Sequence, residues 1–219
     1  MRSLWCALLV LLVAGQGANA CDKDPGPRDP NYPNDPNELL RVKWDAVTSV
    51  LQNKDIDQKA KESQINKIVS PIFDFPLMAK LALGRKHWPK LTAPERKKFT
   101  QLFAERLKSS YREKITLYTD EKALFKPAVQ KKRGIYIPME LISKGKKTAI
   151  VYKLRKVDER RKVKVDERWE VKVDKRWKVY DVEIQGVSIL LTYRSQFDDI
   201  LRSGTVKDLL SRLEKPPAR

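Results

Sequence analysis

The hydrophobic period of this chain changes once, near residue 122, and that change limits the fold more than any other feature. Before it, apolar residues recur at helical spacing. Asp35 and Pro36 make a helix start, cap then proline in the first turn. Leu39, Leu40, Val42, Val47, Val50 and Leu51 then mark an amphipathic helix to about residue 53. A second helix is expected over roughly 57–69, stopping before Pro71. Asp74 caps a third through Leu83, which Gly84 closes in the left-handed region. Thr92 followed by Glu95 is a capping box for a long helix. Phe99, Leu102, Phe103, Leu107, Tyr111 and Tyr118 share one broad face of it.

After residue 122 the period is two. Ile135, Ile137, Met139 and Leu141 alternate with their neighbours; so do Ile150, Tyr152 and Leu154, and then Tyr180, Val182 and Ile184. Gly186 is expected to bend or bulge its strand. Two short helices, Arg194–Arg202 and Val206–Glu214, finish the chain. Helices first and an antiparallel sheet after them read as an α+β domain.

Inside the strand region lies a near-repeat of eight residues, "VDERRKVK VDERWEVK VDKRWKVY", over 157–180. An even period keeps each copy's residues on the same strand face. A turn at Asp166-Glu167-Arg168 would pair Val165 with Trp169, Val163 with Val171, Val157 with Trp177 and Leu154 with Tyr180. The same register carries Tyr152 onto Val182 and Ile150 onto Ile184. It also sets Asp158 against Arg176, Arg160 against Asp174, Glu159 against Lys175 and Lys164 against Glu170. The repeat thus reads as a tandem expansion of one hairpin, lengthening each arm by about 27 Å. A meander with two extra short strands is the competing arrangement. Trp169 near the tip, among Lys and Arg, could dip into a membrane interface; a tolerated insertion without a role is the plainer reading.

The N-terminus points outside the cytoplasm. Arg2 precedes an apolar run from Leu4 to Ala14, eleven residues long, and a small-residue site at Ala18-Asn19-Ala20. A membrane span needs about 20 residues, so 1–20 is expected to be a cleaved export signal. Of two cysteines, Cys6 leaves with the signal and Cys21 remains, which precludes an internal disulfide. Cys21 directly follows the cleavage site. Both soluble secretion to the periplasm and a lipoprotein tethered through Cys21 are open. Residues 21–36, with five prolines among polar residues, read as an extended spacer, and 37–215 as a single domain.

Lys and Arg outnumber Asp and Glu by 46 to 28, a net charge of +18. Such a surface attracts nucleic acid, anionic lipid or an acidic protein, and export sets nucleic acid aside. Catalytic groups are scarce. The only histidine is His87, and no HExxH, paired CxxC, GxSxG or P-loop occurs. No enzyme, metal site or cofactor is expected. The large apolar side chains can fill an ordinary core or line a cavity between helices and a curved sheet.

Three stretches resemble the MlaC, or toluene-tolerance auxiliary, family, the periplasmic phospholipid-binding component of Mla-type ABC lipid transport. They are "FDFPLMAKLALGRKHWPKLTAPERKKFTQLFAERLKSSY", "TAIVYKL" and "RWKVYDVEIQGVSILLTYRSQFDDIL". In the last, Trp-x-Val-x-Asp-Val, Gly-Val-Ser and Tyr-Arg-x-x-Phe stand at the family's spacing. The resemblance implies helices packed on a curved antiparallel sheet, no catalysis and a phospholipid cargo, with a hopanoid-type lipid a further possibility. It implies a carrier between an outer-membrane lipoprotein complex and an inner-membrane ABC transporter complex, serving outer-membrane lipid asymmetry by retrograde transport. The alternative is a membrane-tethered envelope interaction module with a filled core and no lipid.

Taken with the apolar faces above, the resemblance nominates Phe75, Met78, Leu81, Phe103, Leu107, Tyr111, Ile137, Met139, Tyr152, Val182, Ile184 and Val187 as lipid-binding. Tyr193 and Arg194 match the family's Tyr-Arg; headgroup contact and structural packing are both open for them. The expansion at 157–174, the Pro-rich spacer and Cys21 depart from the family pattern.

Overall fold

A computed structural model describes residues 32–115, 121–165 and 167–215. The export signal, Cys21, most of the spacer and Tyr118 lie outside the described residues. So does the side chain of Tyr111.

Caps set the helix starts where side-chain oxygens meet free backbone N–H groups. Helix α1 (Pro36–Gln52) begins behind Asp35, whose carboxylate accepts from the Glu38 amide at 2.8 Å. Asp57 does the same for α2 (Gln58–Val69), and Asp74 for α3 (Phe75–His87). Gly84 takes φ +67° as expected, yet it kinks α3 rather than ending it. Thr92 and Glu95 form the capping box of α4 (Ala93–Ile115).

The sheet is antiparallel and six-stranded: β1 (Lys122–Phe125), β2 (Val129–Lys131), β3 (Gly134–Ser143), β4 (Lys146–Val165), β5 (Arg168–Ile184) and β6 (Val187–Ser188). Its order is β1-β3-β4-β5-β6, with β2 also on β3. The two short strands β1 and β2 had no clear sequence signal. Helix α5 (Ile189–Ser203) starts five residues before the expected Arg194, because the Ser188 hydroxyl caps it on the Leu191 amide. Helix α6 (Val206–Glu214) follows with its own Thr205–Asp208 capping box.

β4 and β5 form one continuous hairpin, not a meander. Its base keeps the expected pairs Ile150–Ile184 and Tyr152–Val182. Between Lys153 and Leu154 the register slips by one: Leu154 faces Val179, Lys156 faces Trp177, and Val165 faces Arg168. The expected Leu154–Tyr180, Val157–Trp177, Val163–Val171 and Val165–Trp169 pairs are therefore not made. Nor are the four expected charge pairs; Glu159 instead bonds Lys178 at 2.5 Å and Arg176 at 3.3 Å. The cause is the turn. The strands leave two residues between them, with Glu167 at φ +68°. Two-residue turns of positive φ match the strand twist better than a three-residue turn, and a bulge at Tyr180 absorbs the difference.

The apolar interior has two parts. One joins α3, α4, α5 and α6 around Phe99, Phe103, Phe197 and Leu209. The other lies between α1 and the sheet, around Leu39, Ile137, Leu154 and Val179. The end of the expected spacer belongs to this second part. Tyr32 is buried there, its hydroxyl donating to the Trp177 carbonyl, and the Trp177 indole donates to the Asn34 carbonyl at 2.9 Å. Residues 32–36 are thus packed against the hairpin base rather than extended and free.

Candidate functional site

Between these two parts the interior is hollow. A cavity of about 740 Å³ lies between α1, α2, the end of α4, the start of α5 and one face of the sheet. This falls within the range of about 300–1,000 Å³ typical of ligand sites. A wholly filled interior does not describe this molecule.

Helical and strand periods build its walls. Leu40, Lys43, Trp44, Val47, Thr48 and Leu51 follow the helical i, i+3, i+4, i+7 pattern and so form one stripe of α1. Ile65 and Val69, four apart, do the same for α2. On the sheet, Ile150 and Tyr152 of β4 stand opposite Ile184 and Val182 of β5, four side chains on one face. Phe125, Leu141, Ile189 and Tyr193 close further sides. Polar groups on the wall are Lys43, Thr48, Ser110, Glu121, Thr192 and Gln196. Glu121 accepts from the Ser143 hydroxyl at 2.9 Å. Ile184 and Val187 line the cavity and are also exposed, which places them at its rim.

Of the residues nominated from sequence, Phe75, Met78, Leu107, Tyr152, Val182, Ile184 and Val187 line this cavity. Burial pushes the Tyr152 phenol up to about 12, although its ring keeps free area because it faces the hollow. Four nominated residues are placed elsewhere. Phe103 is fully buried, stacked on Phe99 at 5.7 Å and edge-on to Tyr193 at 5.1 Å. Leu81 packs against the same cluster. Ile137 is covered in the second core, and Met139 is buried without reaching the cavity. The face of α4 is broad: its N-terminal half meets α5 and α6, and only one turn later does Leu107 emerge at the hollow.

The Tyr-Arg pair divides. Tyr193 lines the cavity, its hydroxyl 3.4 Å from that of Ser110. Arg194 turns away and donates twice to the Leu81 carbonyl, at 3.0 and 2.6 Å. It braces the kink in α3, where a Cβ on Gly84 would come within 3.2 Å of its Nε. The stripe of α1 and the two residues of α2 were not nominated from sequence. The 40-44-47-51 spacing was the available signal, obscured by Lys43 and Thr48 within the stripe.

Beside the hollow, Asp181 anchors β5 to α5. Its carboxylate accepts from Lys153 Nζ at 3.0 Å, Ser188 Oγ at 2.8 Å and the Leu190 amide at 3.3 Å. Burial disfavours the Lys153 ammonium, but Glu183 and Asp181 outweigh it and hold its pKa above the usual lysine range. One ammonium thus serves two carboxylates. Among the described residues no cluster of three or more His, Cys, Asp or Glu could hold a metal ion. No described helix is long and apolar enough to cross a membrane.

The model of the MlaC protein family matches residues 42–215, most of the chain and all the walls of the cavity except the Leu40 position. The chain belongs to the MlaC family. No curated protein matches it in sequence. Among solved structures it is similar to a phospholipid-binding protein from Ralstonia solanacearum in complex with a phospholipid. The TM-score is 0.65 at 20% identity, over 82% of this chain and 95% of that one. At that identity the likeness is one of fold, the helices and curved sheet that an MlaC domain shares. The eight-residue repeat builds the distal part of the β4–β5 hairpin.

Proposed function

We propose that this MlaC-family chain is a phospholipid carrier, not an enzyme, and that the cavity holds the acyl chains of its cargo. The observation that carries the reading is the hollow itself: about 740 Å³, walled by one stripe of α1 and one face of the sheet, almost entirely apolar. An unfilled apolar space of this size forgoes packing that the neighbouring core achieves. Lipid supplies the missing contacts, and each methylene it buries contributes about 0.8 kcal/mol. No metal or cofactor enters this role; the phospholipid is cargo.

In this reading residues 1–20 are an export signal, 21–36 lead into the domain, and 37–215 form one lipid-binding unit in the periplasm. The carrier moves lipid between an outer-membrane lipoprotein complex and an inner-membrane ABC transporter complex. Native mass spectrometry of the protein purified from its own envelope, followed by organic extraction, tests the cargo. One phospholipid per chain is the expected result. A bare chain from that source would overturn the carrier, and the same mass reports whether Cys21 bears acyl groups.

A further inference from the structure

The arm that projects beyond Trp177 has a consequence in the register slip at its base. Had β4 and β5 paired without the bulge, the valines and tryptophans of both strands would share one face with Glu159, Arg161 and Lys175, and the remaining charges would take the other. The slip re-sorts them. Trp169, Val171 and Val173 now stand opposite Lys164, Lys162 and Arg160. One face thus carries Trp169, Val171, Val173 and Trp177 on β5, with Lys175 among them, opposite a row of Lys164, Arg160 and Lys156 on β4, with Asp158 among them. It continues the side on which Leu154 and Val179 are buried. Lys156 begins the row, its ammonium 5.2 Å from the Trp177 ring centre. Trp169, Val171 and Val173 are 70%, 60% and 55% exposed. The opposite face mixes signs, as in the pairing of Arg176 and Lys178 with Glu159.

We propose that this face of the arm docks on an anionic bilayer surface. Eight residue pairs, from Asp158–Lys175 to Val165–Arg168, give it a reach of about 26 Å. Trp and Val fit the boundary between headgroups and acyl chains, and Lys and Arg beside them keep their stems apolar and their charges at the phosphates. Charge complementarity favours a bilayer over a protein. The cations are spaced along a single row by the strand repeat, and laterally mobile phosphates can meet each of them, whereas a protein would need carboxylates at matching intervals. Asp158 and the Lys164–Glu167 ion pair at 2.8 Å reduce the net charge without reversing it. The inference does not rest on what the cavity holds.

The test is vesicle flotation of the full mature chain. The two vesicle types are phosphatidylcholine alone and two parts phosphatidylcholine to one part phosphatidylglycerol. Binding is expected to the anionic vesicles only, and to vanish as salt rises from about 0.1 to about 1 M and the screening length falls to about 3 Å. Trp169→Ala with Val171→Ser should weaken it about tenfold, and Arg160→Gln or Lys164→Gln roughly fivefold each. A deletion of residues 158–173 serves as the second variant. It joins Val157 to Asp174-Lys175-Arg176, preserves the Val157–Arg176 pair, and regenerates the two-residue turn. The strand pairing of the base is left intact, and only the Glu159 ion pairs with Arg176 and Lys178 are lost from it. It should abolish flotation while the thermal melt is unchanged. Equal binding by wild type and deletion would assign the effect to the general basic surface and overturn the proposal. So would absence of binding to anionic vesicles at low salt, or arm-dependent capture of an envelope protein without vesicle binding.

Discussion

The two ends of the apolar interior are both built from apolar side chains and share α4 and α5, yet one is filled and the other is hollow. In the filled end Phe99, Phe103, Phe197 and Tyr193 touch ring to ring, with centroids 5.1 to 5.7 Å apart. In the hollow end Leu51, Ile65, Ile150 and Tyr152 face one another across empty space. Helix α4 runs from the first to the second, and α5 returns. What separates them is the distance between elements: α3, α5 and α6 close on α4, whereas the α1–α2 pair and the sheet enclose a gap. Apolar composition alone therefore does not decide between core and site.

The largest test of this contrast sets Phe103→Ala against Leu51→Ala. Phe103 is surrounded, so its truncation should cost about 3–5 kcal/mol in urea unfolding. Leu51 already borders a void, and its truncation in lipid-free protein should cost about 1 kcal/mol or less. Comparable losses at the two sites would mean that the hollow is packed in solution. Adding lipid should raise the cost at Leu51 and leave that at Phe103 unchanged, which sharpens the same comparison.

A second substitution probes the seam. Asp181→Ala removes the acceptor for Ser188, Leu190 and Lys153 at once. Stability should fall by about 3 kcal/mol, because among the described residues Glu183 is then the one carboxylate left to the Lys153 charge. A loss within about 0.5 kcal/mol, the level of an ordinary surface change, would show that α5 does not depend on this anchor. Arg194→Ala is expected to cost less, about 1 kcal/mol, since one guanidinium at an exposed position is lost from the Leu81 carbonyl. Lipid content should be unaffected by it; a drop in bound lipid would move Arg194 from bracing α3 to serving the cargo.

Much of this architecture was readable from residue order. Asp35, Asp74 and Thr92 all cap helices where the pattern placed them, and the period-two segments became β3, β4 and β5. The hairpin base followed from apolar pairing alone. The slip at Tyr180 did not, because side-chain matching alone carries no information on the turn, and turn geometry set the register of the arm. Helix α5 was read late because "GVSILL" has strand-like side chains, and what starts the helix is Ser188 held by Asp181. The cavity was half legible. Phe103 and Leu107 are one turn apart on one face, and no periodicity distinguishes a side chain that fills space from one that borders it.

The smallest effect concerns the seam between α3 and α5, at the filled end. Asp198 accepts from Lys86 at 2.6 Å and His87 at 2.7 Å, and pairs with Arg202 at 3.3 Å. Those donors hold its carboxyl well below the usual carboxylate range. In the unfolded chain an aspartate titrates near its free value, about 3.9. A depressed folded-state pKa means that the contribution is fully present above that value and is lost as pH falls below it. Wild type should therefore be more stable than Asp198→Asn near pH 6, and the gap should narrow steadily below about pH 4. The site is open to water, so screening keeps the difference small. Urea midpoints at several pH values measure it. A gap constant down to the acid limit would mean that the three side chains around Asp198 hold the seam by packing rather than by charge. The filled end would then owe its closure to the phenylalanines alone.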